Sequence, residues 1–180
     1  GGTGVSGGGH WNCTGDWLWI TGLTCAKGGS DPGSNNNAAY ETPGFYSIWL
    51  RGKNQRVTNC RVDSPNGVRI SADPGFRTEN ITVCFNDFTG RTVPRYRQAN
   101  CIYLGDFANN TAGPNNDLIA RNKWHDDLDR TDTGSGERYC IYTGNSHPQN
   151  NNTGNNRSIV ITENFAVPQY FQDGFYMKRG

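Results

Sequence analysis

The 180-residue chain lacks several features that mark common classes of protein. Its formal net charge is only +1, which argues against binding to nucleic acid or to an anionic membrane surface. No apolar run approaches the roughly 18 residues of a membrane span. No two cysteines have the Cys-x-x-Cys spacing that is typical of zinc sites. The composition therefore points away from nucleic acid, a membrane span and a structural zinc ion.

Hydrophobic residues (33%) and charged residues (18%) are both scarce, which taken alone would suit a disordered chain. Five tryptophans, eight tyrosines and eight phenylalanines argue for a folded, strand-rich and turn-rich protein instead. The glycine-rich opening GGTGVSGGG and the missing initiator methionine predict a processed chain. We expect residues 1–16 to form a leader or arm, and residues 17–180 to form a single domain.

The stretch IWLRGKNQRVTNCRV, residues 48–62, reads as strand, polar turn, strand, and it has echoes along the chain. The first strand type recurs at residues 68–72, 102–106, 141–145 and 175–179. The second type recurs at 83–88, 119–124 and 161–166, with a degenerate copy at 20–25. A fixed order of strands separated by loops of unequal length is typical of a solenoid. The sequence predicts an all-β fold, a right-handed parallel β-helix of five to six coils with long loops on one side.

Stacked coils would bring equivalent residues together. Asn86, Asn122 and Asn164 share one position of the second strand type, and this predicts an asparagine ladder rather than three unrelated turn residues. Cys101 and Cys140 each precede a first-type strand, so they would face each other as a disulfide or as two buried thiols.

Six cysteines and five Asn-x-Ser/Thr sequons predict an extracellular, glycosylated and secreted protein. The sequons lie at Asn12, Asn80, Asn109, Asn151 and Asn156.

The phrases WLWITGLTC, IWLRGKNQRVTNCRVDS, IYTGNSH and IVITENF resemble consecutive coils of the polysaccharide lyases of family six, the alginate and chondroitin-B lyases. The resemblance extends over roughly residues 17–180. It implies β-elimination on a uronic-acid polymer, in which a cation neutralises the carboxylate, a base removes the C5 proton and an acid assists the leaving oxygen. In that family these groups are a Ca²⁺ ion on Asn and two Glu, a Lys, and an Arg one coil later.

The family pattern is only partly matched in the segment YFQDGFYMKRG. If Lys178 takes the base position, Asp173 takes one metal-binding carboxylate position and Phe171 the other. If the strands are aligned instead, Asp173 still matches, Phe175 replaces the second carboxylate, and the base position falls on Gly180. The coil with the Arg does not follow, so the resemblance implies an incomplete site, and whether the chain is an enzyme stays open.

Three further groups of residues suggest ligand contacts. Arg91, Arg95, Tyr96 and Arg97 share one loop and suit an acidic polysaccharide, or else they balance the acidic residues of a neighbouring loop. That acidic segment, 126–137, would bind calcium or simply be solvated, with His125 beside it. The first-type strands also repeat an outward aromatic residue, which predicts a sugar platform or a subunit contact; these residues are Trp49, Tyr103, Tyr142 and Tyr176.

Two functions follow from this sequence. The first is a secreted β-helix that binds or cleaves an acidic polysaccharide through the arginine loop, Tyr142 and Tyr176. The second is a structural subunit of an extracellular filament. We see no capping element at either end of the predicted solenoid, and open strand edges favour end-to-end self-association.

Overall fold

The structure of the protein is a computed structural model that describes residues 11–25, 47–63, 67–70, 78–89, 98–104, 115–125, 137–143, 157–166 and 173–177. All regular elements in these ranges are strands, in keeping with the all-β prediction. Within the same ranges, no helix is long and apolar enough to cross a lipid bilayer. The strands are, in chain order, β1 (Trp11–Cys13), β2 (Trp19–Thr21), β3 (Thr24–Cys25), β4 (Ile48–Leu50), β5 (Arg56–Thr58), β6 (Arg61–Asp63), β7 (Val68–Ile70), β8 (Thr82–Cys84), β9 (Asp87–Thr89), β10 (Gln98–Leu104), β11 (Asn115–Ala120), β12 (Lys123–His125), β13 (Glu137–Thr143), β14 (Arg157–Thr162), β15 (Phe165–Ala166) and β16 (Asp173–Met177).

Each strand pairs in parallel with the strand three places along the chain, so the unit of the fold is a repeat of three strands. Sheet A has the order β1-β4-β7-β10-β13-β16, sheet B contains β2-β5-β8-β11-β14, and sheet C contains β3-β6-β9-β12-β15. This arrangement is consistent with a parallel β-helix, in which successive repeats are about 4.8 Å apart. The stretch 48–62 is therefore a rung of a repeat and not a hairpin.

The first repeat begins earlier than the sequence predicted. β1 lies inside the segment expected to be a leader, yet it pairs residue by residue with β4. Cys13 is buried in the core and pairs with Leu50, while Trp11 and Asn12 are exposed. The repeating domain thus starts by Trp11.

The core is formed by one central column from sheet B, one from sheet C, and two columns from sheet A. In the three-residue strands of sheet B the middle residue points inward, as Val57 does, and in the longer β11 Asp117 and Ile119 are buried at alternate positions. In sheet A the flanking residues are buried, as in Ile48 and Leu50 of β4. In sheet C the rings of Phe88 and Trp124 stack with centroids 5.3 Å apart. Period-2 alternation in very short strands therefore creates a continuous interior.

The second strand type of the sequence is in fact two strands, which belong to sheets B and C. A two-residue turn separates them in every repeat, and the first residue of that turn has a positive φ between 51° and 68°. The residues at this position are Gly22, Asn59, Phe85, Arg121 and Glu163. The prediction of one continuous strand was wrong because a left-handed residue turns the chain there from sheet B into sheet C. Long connections leave the other two corners, for example residues 26–46 and 105–114, so they are not confined to one side.

The predicted asparagine ladder is confirmed. Its members are the second residues of these two-residue turns. The Asn122 amide donates to the Val83 carbonyl (2.8 Å) and to Oδ1 of Asn164 (3.1 Å). Its own Oδ1 accepts from the backbone N–H and the side-chain amide of Asn86, both at 3.0 Å. In the repeat before that of Asn86, Cys60 occupies the equivalent position, and its backbone N–H donates to Oδ1 of Asn86 (2.9 Å). Each ladder residue thus satisfies buried backbone groups of the neighbouring repeat.

The outward face of sheet A differs from the predicted column of exposed aromatic residues. Trp49, Tyr103, Tyr142 and the backbone of Tyr176 do share one register, but Arg69 stands between the first two. Arg69 and Tyr103 are only 2% and 3% exposed. The Arg69 guanidinium carbon lies 3.9 Å from the Trp49 ring centroid, and the rings of Tyr103 and Tyr142 stack at 5.4 Å. Because these side chains cover one another, most of the column is closed to a ligand.

Candidate functional site

The corner between sheets A and B carries a second column of left-handed residues. One residue per repeat has a positive φ between 54° and 61°, and it stands two places before an outward residue of sheet B. These residues are Trp17, Asn54, Asn80, Asn116 and Ser158. Asparagine tolerates this backbone better than other side chains except glycine, because its amide bonds locally. The corner therefore repeats with the same geometry, and its side chains stack along the axis of the fold.

A groove of about 300 Å³ follows this corner across four repeats. Its walls are the left-handed column and the adjoining outward residues of sheet B. The lining residues are Trp17, Leu18, Trp19, Asn54, Arg56, Asn80, Thr82 and Asn116. The groove is concave and combines aromatic side chains with amide and cationic groups that could orient a ligand.

Two tryptophans form one end of the groove. Trp17 is 80% exposed and Trp19 is 63% exposed, which is unusual for the largest apolar side chain. The Trp19 indole N–H donates to the Thr58 hydroxyl at 2.8 Å, which fixes the orientation of that ring. Leu18, between them, packs against the core and anchors the segment. The two indoles are therefore held on the surface by their neighbours while their faces stay accessible.

Polar side chains continue the groove. The Asn80 amide donates to Oδ1 of Asn54 at 3.0 Å, so these two side chains form a short exposed ladder. Arg56 is exposed and is the one charged residue among the described residues that line the groove. Its backbone N–H donates to the Leu18 carbonyl at 2.8 Å, and Arg56 pairs in register with Trp19 of the preceding repeat. A guanidinium in this place suits a carboxylate ligand, which it can bind through two parallel hydrogen bonds.

The residues just before the left-handed column alternate in charge. The Lys53 N–H donates to the Asp16 carboxylate at 2.7 Å, and the Lys53 ammonium lies 3.8 Å from Glu79. These contacts link the first three repeats at the rim of the groove. They also balance charge there, so the Arg56 guanidinium is the cation that faces the groove itself.

Two buried polar side chains support the groove from beneath. The Gln55 amide donates to the carbonyls of Cys13 (2.9 Å) and Gly15 (2.6 Å), while its Oε1 accepts from the Gly52 N–H (3.2 Å). Two repeats on, at the same column, Asp117 is 1% exposed and accepts from the Ile81 N–H at 2.9 Å. Burial raises the Asp117 pKa to about 7, because a charged carboxylate loses its hydration there. These residues give the corner a fixed shape.

The residues predicted to carry function do not meet in this groove. Arg91, Arg95, Tyr96, Arg97 and Lys178 lie outside the described residues. Asp173 and Tyr176 belong to β16, although only their backbone is described. Tyr142 is half-buried on sheet A and packs against Tyr139, with ring centroids 5.5 Å apart.

The described residues form no metal site and include only two of the five predicted glycosylation sites. Within the described part of the chain, no group of three or more His, Cys, Asp or Glu side chains is placed to hold a metal, so the calcium ion stays a prediction. Of the sequon asparagines, Asn12 is exposed on β1 and Asn80 lines the groove, whereas Asn109, Asn151 and Asn156 lie outside the described residues.

The predicted disulfide is compatible with the strand register. Asn100 pairs with Tyr139 and Ile102 with Ile141, so positions 101 and 140 lie at one register on adjacent strands. Parallel neighbours at that spacing are within disulfide range. Cys140 is buried, and the side chain of Cys101 is outside the described part. The bond therefore stays a prediction.

Sequence reasoning missed the groove. A signal was present, because Asn54, Asn80 and Asn116 each stand two residues before an outward position of the second strand type. These asparagines are 26 and 36 residues apart in the sequence, and the unequal spacing hid the pattern. Comparisons of the chain with protein-family models, with curated proteins and with solved structures found no match.

Proposed function

We propose that this chain is a secreted, right-handed parallel β-helix that binds an acidic polysaccharide in the groove between sheets A and B. The observation that carries the proposal is the juxtaposition of two exposed indoles, an exposed arginine and three asparagines along one axial groove. The right hand is the hand that parallel crossover connections take in nearly all proteins. The described strands form five three-strand repeats and one further strand, β16, and this supports the proposal of five to six coils.

Each part of the groove suits a part of a sugar polymer. Indole faces pack against the apolar C–H faces of pyranose rings, and an exposed tryptophan gains most from being covered. Asparagine amides both donate and accept hydrogen bonds, as sugar hydroxyls require. The axial run of equivalent positions, about 4.8 Å apart, suits a ligand that is itself a linear repeat. A polymer lying along the groove would meet one set of side chains per repeat.

Arg56 gives the proposal its preference for an acidic polymer. It would bind a uronate carboxylate through its planar guanidinium, and the neighbouring Trp19 would stack on the same or the next sugar. The resemblance to polysaccharide lyases of family six supports the same class of ligand. Cleavage would in addition need Lys178 as the base and a cation near Asp173. Ultraviolet absorbance of the unsaturated product, with and without calcium, tests for cleavage separately from binding.

The binding test is affinity electrophoresis in gels that contain alginate. Three other repeats have asparagine at the left-handed position that Trp17 occupies. We expect Trp17→Asn to weaken binding about tenfold, or 1.4 kcal/mol. Arg56→Gln should weaken binding by a similar factor. The matched control is Arg61→Gln, an exposed arginine of the same repeat on sheet C. Equal mobility of all four proteins across alginate concentrations would refute the proposal.

Self-association is the second candidate function. Val160, Phe165 and Phe175 are all exposed, and they belong to the last strand of sheets B, C and A in the described order. A second copy of the chain would cover these side chains and add strands to the sheets, as in a filament. Sedimentation of the purified chain tests this. Large regular assemblies that dissociate after Phe165→Lys support it, and a single monomeric species contradicts it.

A further inference from the structure

One sequon lies inside the groove. Asn80, Ile81 and Thr82 form the Asn-x-Thr pattern, and both Asn80 and Thr82 line the groove wall. Asn80 is exposed and has a φ of 57°, so its side chain leaves a turn and not the middle of a strand. Exposed turns are the places where an attached glycan can be accommodated without disturbing a core.

The hydrogen bonding of Asn80 leaves room for a substituent. Its amide nitrogen carries two hydrogens, and one of them is donated to Oδ1 of Asn54 at 3.0 Å. An N-linked sugar replaces one hydrogen and keeps the other. The modified side chain can therefore keep its bond to Asn54 while the sugar extends from the groove wall.

We propose that Asn80 carries an N-linked glycan whose first sugars occupy the groove, so that glycosylation at this residue closes the groove to a free polysaccharide. The inference rests on the proposed function, because it names how the same groove would be regulated. The point of attachment is itself part of the groove wall, and the two exposed indoles lie two repeats away, about 10 Å along the axis. The first sugars of a glycan attached there reach these rings.

The modification is a group transfer from an oligosaccharide linked to a lipid diphosphate. The Asn80 amide nitrogen forms a bond to C1 of the first sugar, and the bond from C1 to the diphosphate oxygen breaks. The lipid diphosphate leaves with the bonding electron pair, and the transferase takes up one amide proton. No oxidant or reductant is involved.

The sequon at Asn12 provides a matched comparison. Asn12 is also exposed, but it lies on β1 of sheet A and does not line the groove. A glycan at Asn12 should therefore leave polysaccharide binding unchanged. Any general effect of glycan bulk or solubility would act at both residues, whereas closure of the groove would act only at Asn80.

The test uses two full-length variants. The first keeps only the Asn80 sequon. The second keeps only the Asn12 sequon, because Thr82→Val removes the sequon at Asn80 and leaves the asparagine in place. The other sequon asparagines are changed to Gln. Each variant is made in a secretory eukaryotic host and in a bacterial host that adds no glycan. Mass spectrometry gives the occupancy at each site, and alginate affinity is compared only within each variant. We expect the glycan to weaken binding at least tenfold for the Asn80 variant and less than twofold for the Asn12 variant.

Hydroxyl-radical footprinting gives an independent readout. A glycan in the groove should protect Trp17 and Trp19 from oxidation, whereas Trp11, which is exposed outside the groove, should be oxidised as before. An unoccupied Asn80 in the secretory host, or an occupied Asn80 without protection and without loss of affinity, would overturn the inference. If the unmodified chain fails to bind alginate, the proposed function fails, and footprinting still decides whether the glycan occupies the groove.

Discussion

Replacing Asn122 by alanine tests how much of the stability depends on contacts between repeats. Asn122 is 1% exposed, and its side chain forms four hydrogen bonds, with lengths from 2.8 to 3.1 Å. Alanine removes all four and leaves the Val83 carbonyl and the Asn86 N–H buried without these partners. An unsatisfied buried group costs about 1–3 kcal/mol, so the free energy of unfolding should fall by about 2–6 kcal/mol. This is a large fraction of the roughly 5–15 kcal/mol that keeps a domain folded.

The assay is urea unfolding followed by far-ultraviolet circular dichroism. With a slope near 2 kcal/mol per molar urea, the midpoint should fall by about 1–3 M. The control is Asn12→Ala, because Asn12 is exposed and its amide oxygen has one long contact of 3.4 Å with Arg51. That change should stay within about 0.5 kcal/mol of the wild type. If Asn122→Ala and Asn12→Ala shift the midpoint equally, the ladder does not stabilise the fold.

Three further predictions follow from the same geometry. In urea unfolding, Cys60→Asn should raise the free energy of unfolding by about 1–2 kcal/mol. An amide at this position can bond the Ile20 carbonyl and the Leu23 N–H, which are equivalent to the groups that Asn86 and Asn122 bond in their own preceding repeats. Asp117 has a folded pKa near 7, above its unfolded value, so the free energy of unfolding should fall as pH rises from about 4 to 7. The loss should be roughly 2–3 kcal/mol between pH 5 and pH 8. In thermal melts, Asp117→Asn should flatten this pH profile. Gly52→Ala should cost about 1–3 kcal/mol in the same melts, because the added methyl group meets a backbone carbonyl oxygen and the Gln55 amide.

Each of these predictions has a control in the chain. Gly15→Ala should be nearly neutral, because an added methyl group there meets nothing within 4 Å. Cys60→Ala, which lacks an amide, should not gain stability. A pH profile that is the same with Asp and Asn at position 117 would show that the buried carboxyl does not titrate with folding. A stabilised Gly52→Ala would show that the corner of the first two repeats is looser than described.

Much of the repeat could be predicted from the sequence, because strands, ladder and register depend on local patterns. The alternation around Val57 and Ile119 marks inward positions, and the asparagine at one fixed place after them marks the ladder. The split of the second strand type was not visible. Phe85 and Arg121 occupy left-handed positions that their residue types give no reason to expect, and the Arg121 guanidinium carbon lies 5.5 Å from the Phe85 ring centroid.

The groove could not be predicted because its residues come from four separate repeats. Trp19 and Arg56 are 37 residues apart, and only the parallel pairing of β2 with β5 makes them neighbours. Sequence reasoning favoured loops that concentrate arginine and tyrosine within a few residues, since such clusters are visible without knowing the register. In the sequence, turn residues such as Asn54 are indistinguishable from ordinary loop residues. Only the stacking of the repeats places them on a common face.

Isothermal titration calorimetry of the unmodified chain with a short alginate oligosaccharide measures binding in the groove. We expect saturable binding at one site per chain, weakened about tenfold by Arg56→Gln and unchanged by Arg61→Gln. A neutral oligosaccharide of the same length should bind more weakly, because Arg56 then has no carboxylate partner. No heat of binding, or binding that Arg61→Gln weakens as much as Arg56→Gln does, would contradict the assignment of the groove.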